Sequence, residues 1–150
     1  MQLADVFKED LVFLDFKAEN KDEAIDKFVT AIEKAGMVDD PLALKNALVE
    51  REKLGTTGIG NGIAIPHARA TTVKDLTVAF FQSLEGVGFD AIDGKPVNLI
   101  FVLLSPISSG GPYLKLLAKV SKLLRSDEFR GDLMEAKDSK TVLQIIQENE

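Results

Sequence analysis

His67 is the only histidine in the 150-residue chain, and it ends a short apolar run that follows a glycine-rich bend, in the sequence TTGIGNGIAIPHARATTV (56–73). A neutral imidazole is available near pH 7, because the pKa of an unperturbed histidine is about 6.5. The chain has no cysteine, no pair of carboxylates that stands out for acid–base work and no convincing Ser/His/Asp order. His67 is therefore the candidate nucleophile, although a lone histidine is more often structural.

Two neighbours of His67 favour a functional role for its ring. Pro66 cannot donate a hydrogen bond to a sheet, so the strand should end or lie at a sheet edge there, with His67 near the surface. The small side chain of Ala68 would let another protein approach. These residues indicate a reactive ring that a partner can reach.

Arg51 is the second candidate for chemistry. It follows Leu44, Ala47 and Leu48 at helical spacing, so it should continue the inward face of their helix. A guanidinium a few residues before the bend offers fixed, bidentate donors to a phosphoryl group. Two simpler explanations remain open, namely a cation that complements a helix C-terminus and a surface ion pair with a neighbouring glutamate.

The glycine-rich bend suits an anion but matches no nucleotide motif. Glycines let successive backbone amides converge, and the hydroxyls of Thr56 and Thr57 lie beside them in sequence. A dinucleotide fingerprint needs glycine or alanine where Ile63 stands, and a P-loop needs serine or threonine where Pro96 stands. The bend is either part of an anion site with free N–H groups or a tight connection between a helix and a strand.

Composition narrows the class of protein. Hydrophobic residues make up 45% and charged residues 28% of the chain, which is typical of a globular domain. One histidine and no cysteine argue against a transition-metal site, and a net charge of −6 disfavours nucleic-acid binding. There is no signal peptide and no apolar run of about 20 residues, so we expect a cytoplasmic protein. The oligomeric state is not indicated.

The order of elements predicts a single α/β domain over residues 1–150, with one mixed sheet covered by helices. Helices should begin at the caps Asn20, Asp40 and Ser126, at Pro112 and in the C-terminal tail. The helix from Pro112 should bury Tyr113. The expected strands are 11–16, IAIPH (63–67), 76–84, a short one near 87–89 and a central one at 97–104.

The stretch REKLGTTGIGNGIAIPHAR (51–69) resembles the phosphorylation-site signature of the IIA domains (EIIA type-2) of the fructose/mannitol class. These belong to the phosphoenolpyruvate-dependent sugar phosphotransferase system (PTS) and include the nitrogen-regulatory IIA proteins. The resemblance extends from the N-terminal MQLADVFKED to YLKLLAKVSKLL near the last helices. It implies an α/β fold with a mixed sheet of roughly five strands flanked by helices.

The resemblance also implies a function. His67 would accept a phosphoryl group from the phosphohistidine of the phosphocarrier protein HPr, forming tele-phosphohistidine, and would pass it to the cysteine of a IIB domain. Arg51 would steady the phosphoryl group, aided by the Thr57 hydroxyl and the amides of the bend. Neither a metal nor a cofactor is implied. The alternative is a nitrogen-regulatory protein whose phosphorylation state controls its binding to regulatory partners.

Tyr113 is the one departure from the family pattern. Family members commonly carry a second histidine at this position, close to the phosphorylated one. Tyrosine can still donate a hydrogen bond but carries no positive charge. We expect Tyr113 to lie close to the His67 ring, although an apolar anchor with a solvated hydroxyl is the simpler role. Tyr113 alone also suggests a third possibility, an inactive relative that serves in assembly.

Overall fold

The computed structural model describes residues 2–150, which form six helices and six strands around one mixed sheet. The helices are α1 (Leu3–Val6), α2 (Lys21–Lys34), α3 (Pro41–Lys53), α4 (Gly110–Leu123), α5 (Asp127–Glu135) and α6 (Ser139–Asn149). The strands are β1 (Phe7–Phe13), β2 (Gly58–Gly60), β3 (Ile63–Ala64), β4 (His67–Arg69), β5 (Thr77–Val87) and β6 (Val97–Ser105). The predicted α/β class and mixed sheet are confirmed.

The strands lie in the order β1-β5-β6-β3-β2, and β4 also pairs with β6. β5 and β6 form an antiparallel pair, while β1 runs parallel to β5, and β3 and β4 both run parallel to β6. β3 and β4 therefore share one edge of β6, in line with each other, and the six strands occupy five positions across the sheet. Pro66 separates the two segments because it has no N–H to donate.

Hydrophobic cores lie on both faces of the sheet. Alternate residues of β6 point to opposite faces, so that Val102 joins the core with Phe28 and Phe81, and Phe101 joins the core with Phe80. α2 and α3 cover the first face, and α4, α5 and α6 cover the second. The prediction that 97–104 is a central strand buried on both faces is confirmed.

The N-terminal strand was predicted too late in the chain. It spans Phe7–Phe13 rather than 11–16, and the short helix α1, which the sequence did not predict, precedes it. Asp15 has a φ of 60°, a left-handed conformation that extended backbone does not contain. The β-prone residues from Leu14 to Phe16 are consequently outside the strand.

Three further boundaries differ from the prediction. No separate strand forms near 87–89, because Val87 is the last residue of β5 and Asp90 has a φ of 52°. Strand pairing resumes after Pro66, so the histidine begins β4 instead of ending a strand. α4 begins at Gly110, two residues before Pro112.

The predicted helix caps are confirmed at Asn20, Asp40 and Ser126, whose side chains accept hydrogen bonds from backbone amides in the first turn of α2, α3 and α5. Asp40 matters most for the site, since it fixes the start of α3, the helix that carries Arg51 near its C-terminus. Within residues 2–150, none of the helices has the length and apolar character needed to cross a membrane.

Candidate functional site

The last turn of α3 lies against β4, and this contact brings Arg51 to His67. The Arg51 Nε–H donates a hydrogen bond to Nε2 of His67 at 3.1 Å, and Nη1 of Arg51 donates to the Gly55 carbonyl oxygen at 2.8 Å. The guanidinium is therefore held at two points. As the helical spacing predicted, Arg51 turns toward the protein, and both it and His67 are half-buried.

The hydrogen bonds of the His67 ring define its tautomer. Nδ1 lies 2.7 Å from the carbonyl oxygen of Ile65, which can only accept a hydrogen bond, so the ring proton resides on Nδ1. Nε2 then carries a lone pair, in agreement with its acceptance of the Arg51 Nε–H. The lone pair that could attack a phosphoryl group is therefore on the nitrogen that faces the guanidinium.

The surroundings of His67 favour its neutral form. Burial lowers the pKa of His67 below its usual value, and the positive charge of Arg51 acts in the same direction. The Ile65 carbonyl and the charge of Glu52 oppose this only in part. Because protonated imidazole has no lone pair to offer, the lowered pKa keeps His67 available as a nucleophile near pH 7.

Tyr113 lies in the first turn of α4 with its ring against His67. The two ring centroids are 6.1 Å apart at an interplanar angle of 54°, so the predicted proximity is confirmed. Burial raises the pKa of Tyr113 to about 12, although the charges of Arg69 and Arg51 act in the opposite direction. The residue is thus a neutral phenol that can donate a hydrogen bond.

Thr57 is the predicted site residue that the structure does not place against His67. Its side chain is buried, and both its amide and its hydroxyl donate to the carboxylate of Glu52. The predicted hydrogen bond from Thr57 to a phosphoryl group therefore requires the hydroxyl to leave Glu52, and it stays a prediction.

Glu52 is a positioning residue that the sequence did not reveal. Its carboxylate is only 6% exposed and also accepts a hydrogen bond from Lys21 Nζ at 2.9 Å. It thereby ties α2, the end of α3 and Thr57 together beside Arg51. The sequence shows only that Glu52 is a carboxylate next to Arg51 and five residues before Thr57. The burial of this carboxylate depends on Lys21, which is distant in the sequence.

The glycine-rich bend is a short hairpin rather than an open nest of free amides. β2 pairs antiparallel with β3, and Asn61 and Gly62 form the connection with φ values of 57° and 75°. The Gly58 amide donates to Thr56 Oγ1, and the Asn61 amide donates to Asp93. These two amides are already paired within the protein, which favours the second of the two interpretations of the bend, a tight connection between a helix and a strand.

A surface groove of about 580 Å³ opens over the histidine. Its polar groups belong to Glu50, Arg51, His67, Arg69 and Tyr113. The rim includes Leu54 and Ile107, which are 85% and 55% exposed. Among residues 2–150, no cluster of three or more histidine and carboxylate side chains could hold a metal ion.

Curated relatives of this chain include PTS components. It is 40% identical over 139 residues to the PTS system fructose-specific EIIA component of Haloferax volcanii, covering 93% of this chain and 90% of that protein. It is 33% identical over 150 residues to the PTS system fructose-specific EIIABC component of Bacillus subtilis. That match covers the whole chain but spans only 24% of the length of the relative.

Solved structures show the same fold. Nitrogen regulatory protein IIA-Ntr from Neisseria meningitidis superimposes with a TM-score of 0.89 at 35% identity, covering 96% of this chain and 98% of that one. The mannitol IIA enzyme of Escherichia coli, solved in complex with its phosphorylated IIB enzyme, gives a TM-score of 0.80 at 25% identity, covering 95% and 97% of the two chains.

Residues 5–149 match the family described as phosphoenolpyruvate-dependent sugar phosphotransferase system, EIIA 2. The match covers nearly the entire chain, including every residue of the groove. The chain belongs to the EIIA 2 family of the phosphoenolpyruvate-dependent sugar phosphotransferase system.

Proposed function

We propose that the protein is a cytoplasmic phosphocarrier of a fructose/mannitol-class PTS. His67 takes a phosphoryl group from the phosphohistidine of HPr and passes it to the cysteine of a IIB domain. The observation that carries this proposal is the hydrogen bond from Arg51 Nε to Nε2 of His67, at 3.1 Å. It pairs a neutral nucleophilic nitrogen with a fixed cation of the kind that stabilises phosphoryl transfer.

The transfer balances without an added cofactor. The lone pair of Nε2 forms the new N–P bond while the P–N bond to the donor imidazole breaks, and the donor ring leaves with that electron pair. The proton on Nδ1 stays in place, so the phosphorylated ring carries a positive charge. The carbonyl of Ile65, 2.7 Å from Nδ1, stabilises that charge. The product is an Nε2-phosphohistidine, that is, tele-phosphohistidine.

Arg51 supplies the electrostatic part of the mechanism. As the phosphoryl group arrives, its oxygens replace the Nε2 lone pair as acceptors of the guanidinium N–H groups. Arginine suits this exchange because its planar donors match two phosphoryl oxygens at once. The hydrogen bond from Nη1 to the Gly55 carbonyl oxygen keeps the guanidinium in position while its other N–H groups exchange acceptors.

The groove is suited to a protein donor and acceptor. Leu54 and Ile107 expose apolar surface at its rim, which a folded partner covers more readily than a small molecule does. The net charge of −6 favours the approach of a basic partner over long range. Both features support direct transfer from one protein to the next.

A regulatory role is the second candidate, and the TM-score of 0.89 to IIA-Ntr from Neisseria meningitidis favours it. In that role the same phosphorylation at His67 controls binding to a regulatory protein. The two functions separate when phosphorylated protein is mixed with a fructose-class IIB domain and sugar. Rapid loss of phosphate supports the relay, and a stable phosphoprotein that binds a partner outside transport supports the regulator.

The deciding experiment incubates the full chain with phosphoenolpyruvate, enzyme I and HPr and then measures intact mass. We expect one acid-labile phosphate, its absence in His67→Gln and slow formation in Arg51→Ala. Arg125→Gln is the matched control, because Arg125 is an exposed arginine just beyond the far end of α4. A native protein that takes up no phosphate contradicts both candidate functions.

A further inference from the structure

Arg69 lies on the same face of β4 as His67. The two residues flank Ala68, whose side chain is buried in the core with Leu104. Successive side chains of a strand point to opposite faces, so His67 and Arg69 both point away from that core and toward the groove. The spacing of two residues places a second guanidinium beside the reactive ring.

The Arg69 guanidinium lies over the ring of the tyrosine of the site, within the range of a cation–π contact. Its Cζ lies 5.9 Å from the centroid of the Tyr113 ring, and that ring is 6.1 Å from the His67 ring. A cation over an aromatic face is attracted by the ring quadrupole. Tyr113 therefore contacts the nucleophile and the second cation at the same time.

Gly110 leaves room for this arrangement. A Cβ atom at Gly110 would lie 2.8 Å from Nη1 of Arg69, closer than real contacts allow. The guanidinium thus rests against a backbone position without a side chain, with an aromatic ring beside it. Arg69 makes no ion pair within the described part of the chain, so its charge is not neutralised by a carboxylate.

The charges of the groove are unbalanced without a ligand. Arg51 and Arg69 are its cations, and Glu50, its carboxylate, already pairs with Lys53 at 3.0 Å and is 70% exposed. A phosphoryl group on histidine brings a charge of about −2 into this space. The phosphorylated ring carries one positive charge of its own, but its N–H is held by the Ile65 carbonyl, so Arg51 and Arg69 are the cations of the groove that can donate N–H groups to the phosphoryl oxygens.

We propose that Arg69 is a second phosphoryl-binding residue, whose guanidinium slides from the face of Tyr113 onto the oxygens of the phosphoryl group on His67. This inference rests on the proposed phosphocarrier function. Arg51 holds the nitrogen and the phosphoryl oxygens from the end of α3, and Arg69 holds the oxygens from β4. Before the phosphoryl group arrives, the Arg69 guanidinium lies over the ring of Tyr113, which is a neutral phenol.

The test measures the equilibrium between phospho-HPr and the protein, with native chain, Arg69→Gln, Arg69→Lys and the control Arg125→Gln. This equilibrium depends on how stable the phosphoryl group is on each free protein and not on how the two proteins dock. Because Arg69 is exposed, we expect Arg69→Gln to shift this equilibrium toward phospho-HPr by about three- to tenfold, the effect of one solvent-exposed charge-assisted hydrogen bond. Arg69→Lys should recover part of that shift, and Arg125→Gln should match the native protein.

A second measurement reads the phosphoryl group directly. A nearby guanidinium stabilises the dianion, so the pKa of the phosphoryl group, followed by ³¹P NMR, should rise in Arg69→Gln and not in Arg125→Gln. Gly110→Ala should produce a smaller change of the same sign, because it displaces the guanidinium without removing its charge.

The outcomes separate this inference from the function on which it rests. If the native protein takes up no phosphate, the proposed phosphocarrier function is contradicted. If it does take up phosphate but Arg69→Gln changes only the rate of transfer, with equilibrium and ³¹P titration as in Arg125→Gln, Arg69 acts in docking alone. In that case the inference is overturned and the phosphocarrier function stands.

Discussion

Nε of Arg51 and Nε2 of His67 lie 3.1 Å apart, and the hydrogen bond between them selects the nitrogen that can react. The Arg51 N–H can be donated only to an unprotonated Nε2, and the Ile65 carbonyl holds the proton on Nδ1. Tautomer, charge state and the direction of attack are thus set by two contacts before any partner arrives.

The pH titration of His67 should report this environment. Because burial and Arg51 both lower the pKa of His67, an NMR titration of the single imidazole should give a midpoint below the ordinary value of about 6.5. Arg51→Gln should raise that midpoint. A native midpoint at or above 6.5 contradicts the burial of the ring.

The same shift links folding stability to pH. The unfolded chain binds a proton at His67 near pH 6.5, whereas the folded chain binds it only at lower pH. The contribution of His67 to stability is therefore complete above about pH 6.5 and is lost as the pH falls from there to the folded-state pKa. In His67→Gln, chemical denaturation at several pH values should show a shallower loss across this window.

Tyr113 should ionise unusually late. It is the only tyrosine, and the chain contains no tryptophan, so its absorbance change on ionisation is not masked by other residues. Burial raises the pKa of Tyr113 to about 12, so we expect a spectrophotometric midpoint well above 10. A midpoint near 10 would mean that the phenol is in contact with bulk water.

Glu52→Gln should weaken both the fold and the site. The substitution removes the charge that Lys21 and Thr57 contact, in a side chain that is only 6% exposed. We expect a loss of about 1–3 kcal/mol in the free energy of unfolding and slower phosphorylation, because the support beside Arg51 is loosened. Urea denaturation and the rate of phosphate uptake from phospho-HPr measure the two effects.

Glu50→Gln is the matched control for Glu52→Gln. Glu50 lies two residues earlier in α3, is 70% exposed and pairs with the exposed Lys53. Its substitution should change the free energy of unfolding by no more than about 0.5 kcal/mol. Equal losses in the two variants would show that burial of the Glu52 carboxylate is not what matters.

Gly58→Ala should destabilise the hairpin next to the site. A Cβ atom at Gly58 would lie 2.8 Å from the Cα of Ala91, and backbone cannot move aside as a flexible side chain can. We expect a cost of about 1–3 kcal/mol in thermal or chemical denaturation. Gly111→Ala, where the added methyl group meets open space in the first turn of α4, should be neutral or stabilising.

The sequence predicted the inward orientation of Arg51 better than it predicted the strand boundaries. Helical periodicity through Leu44 and Leu48 is a local signal, and it correctly turned Arg51 toward the protein. The end of β1 depends on the left-handed conformation of Asp15, which residue type alone does not reveal. β2 was missed because glycines favour a bend when only local propensity is considered.

The role of Glu52 could not be predicted for a different reason. Its burial depends on Lys21, 31 positions away, and that contact exists only after α2 has packed beside α3. The proximity of Tyr113 to His67 was expected from the resemblance to a family, because no local pattern joins residues 46 positions apart. Local sequence patterns contain no information on contacts between distant segments, and these contacts complete the site.

The ring of Tyr113 is the sole intrinsic fluorophore of consequence in this chain, and it lies 6.1 Å from the ring of His67. Emission excited in the near ultraviolet therefore originates next to the reacting nitrogen, with no background from other sites. If His67 carries a phosphoryl group, as proposed, its arrival and departure should change this emission, which would report them in real time on the unmodified protein, without a dye, a tag or an isotope.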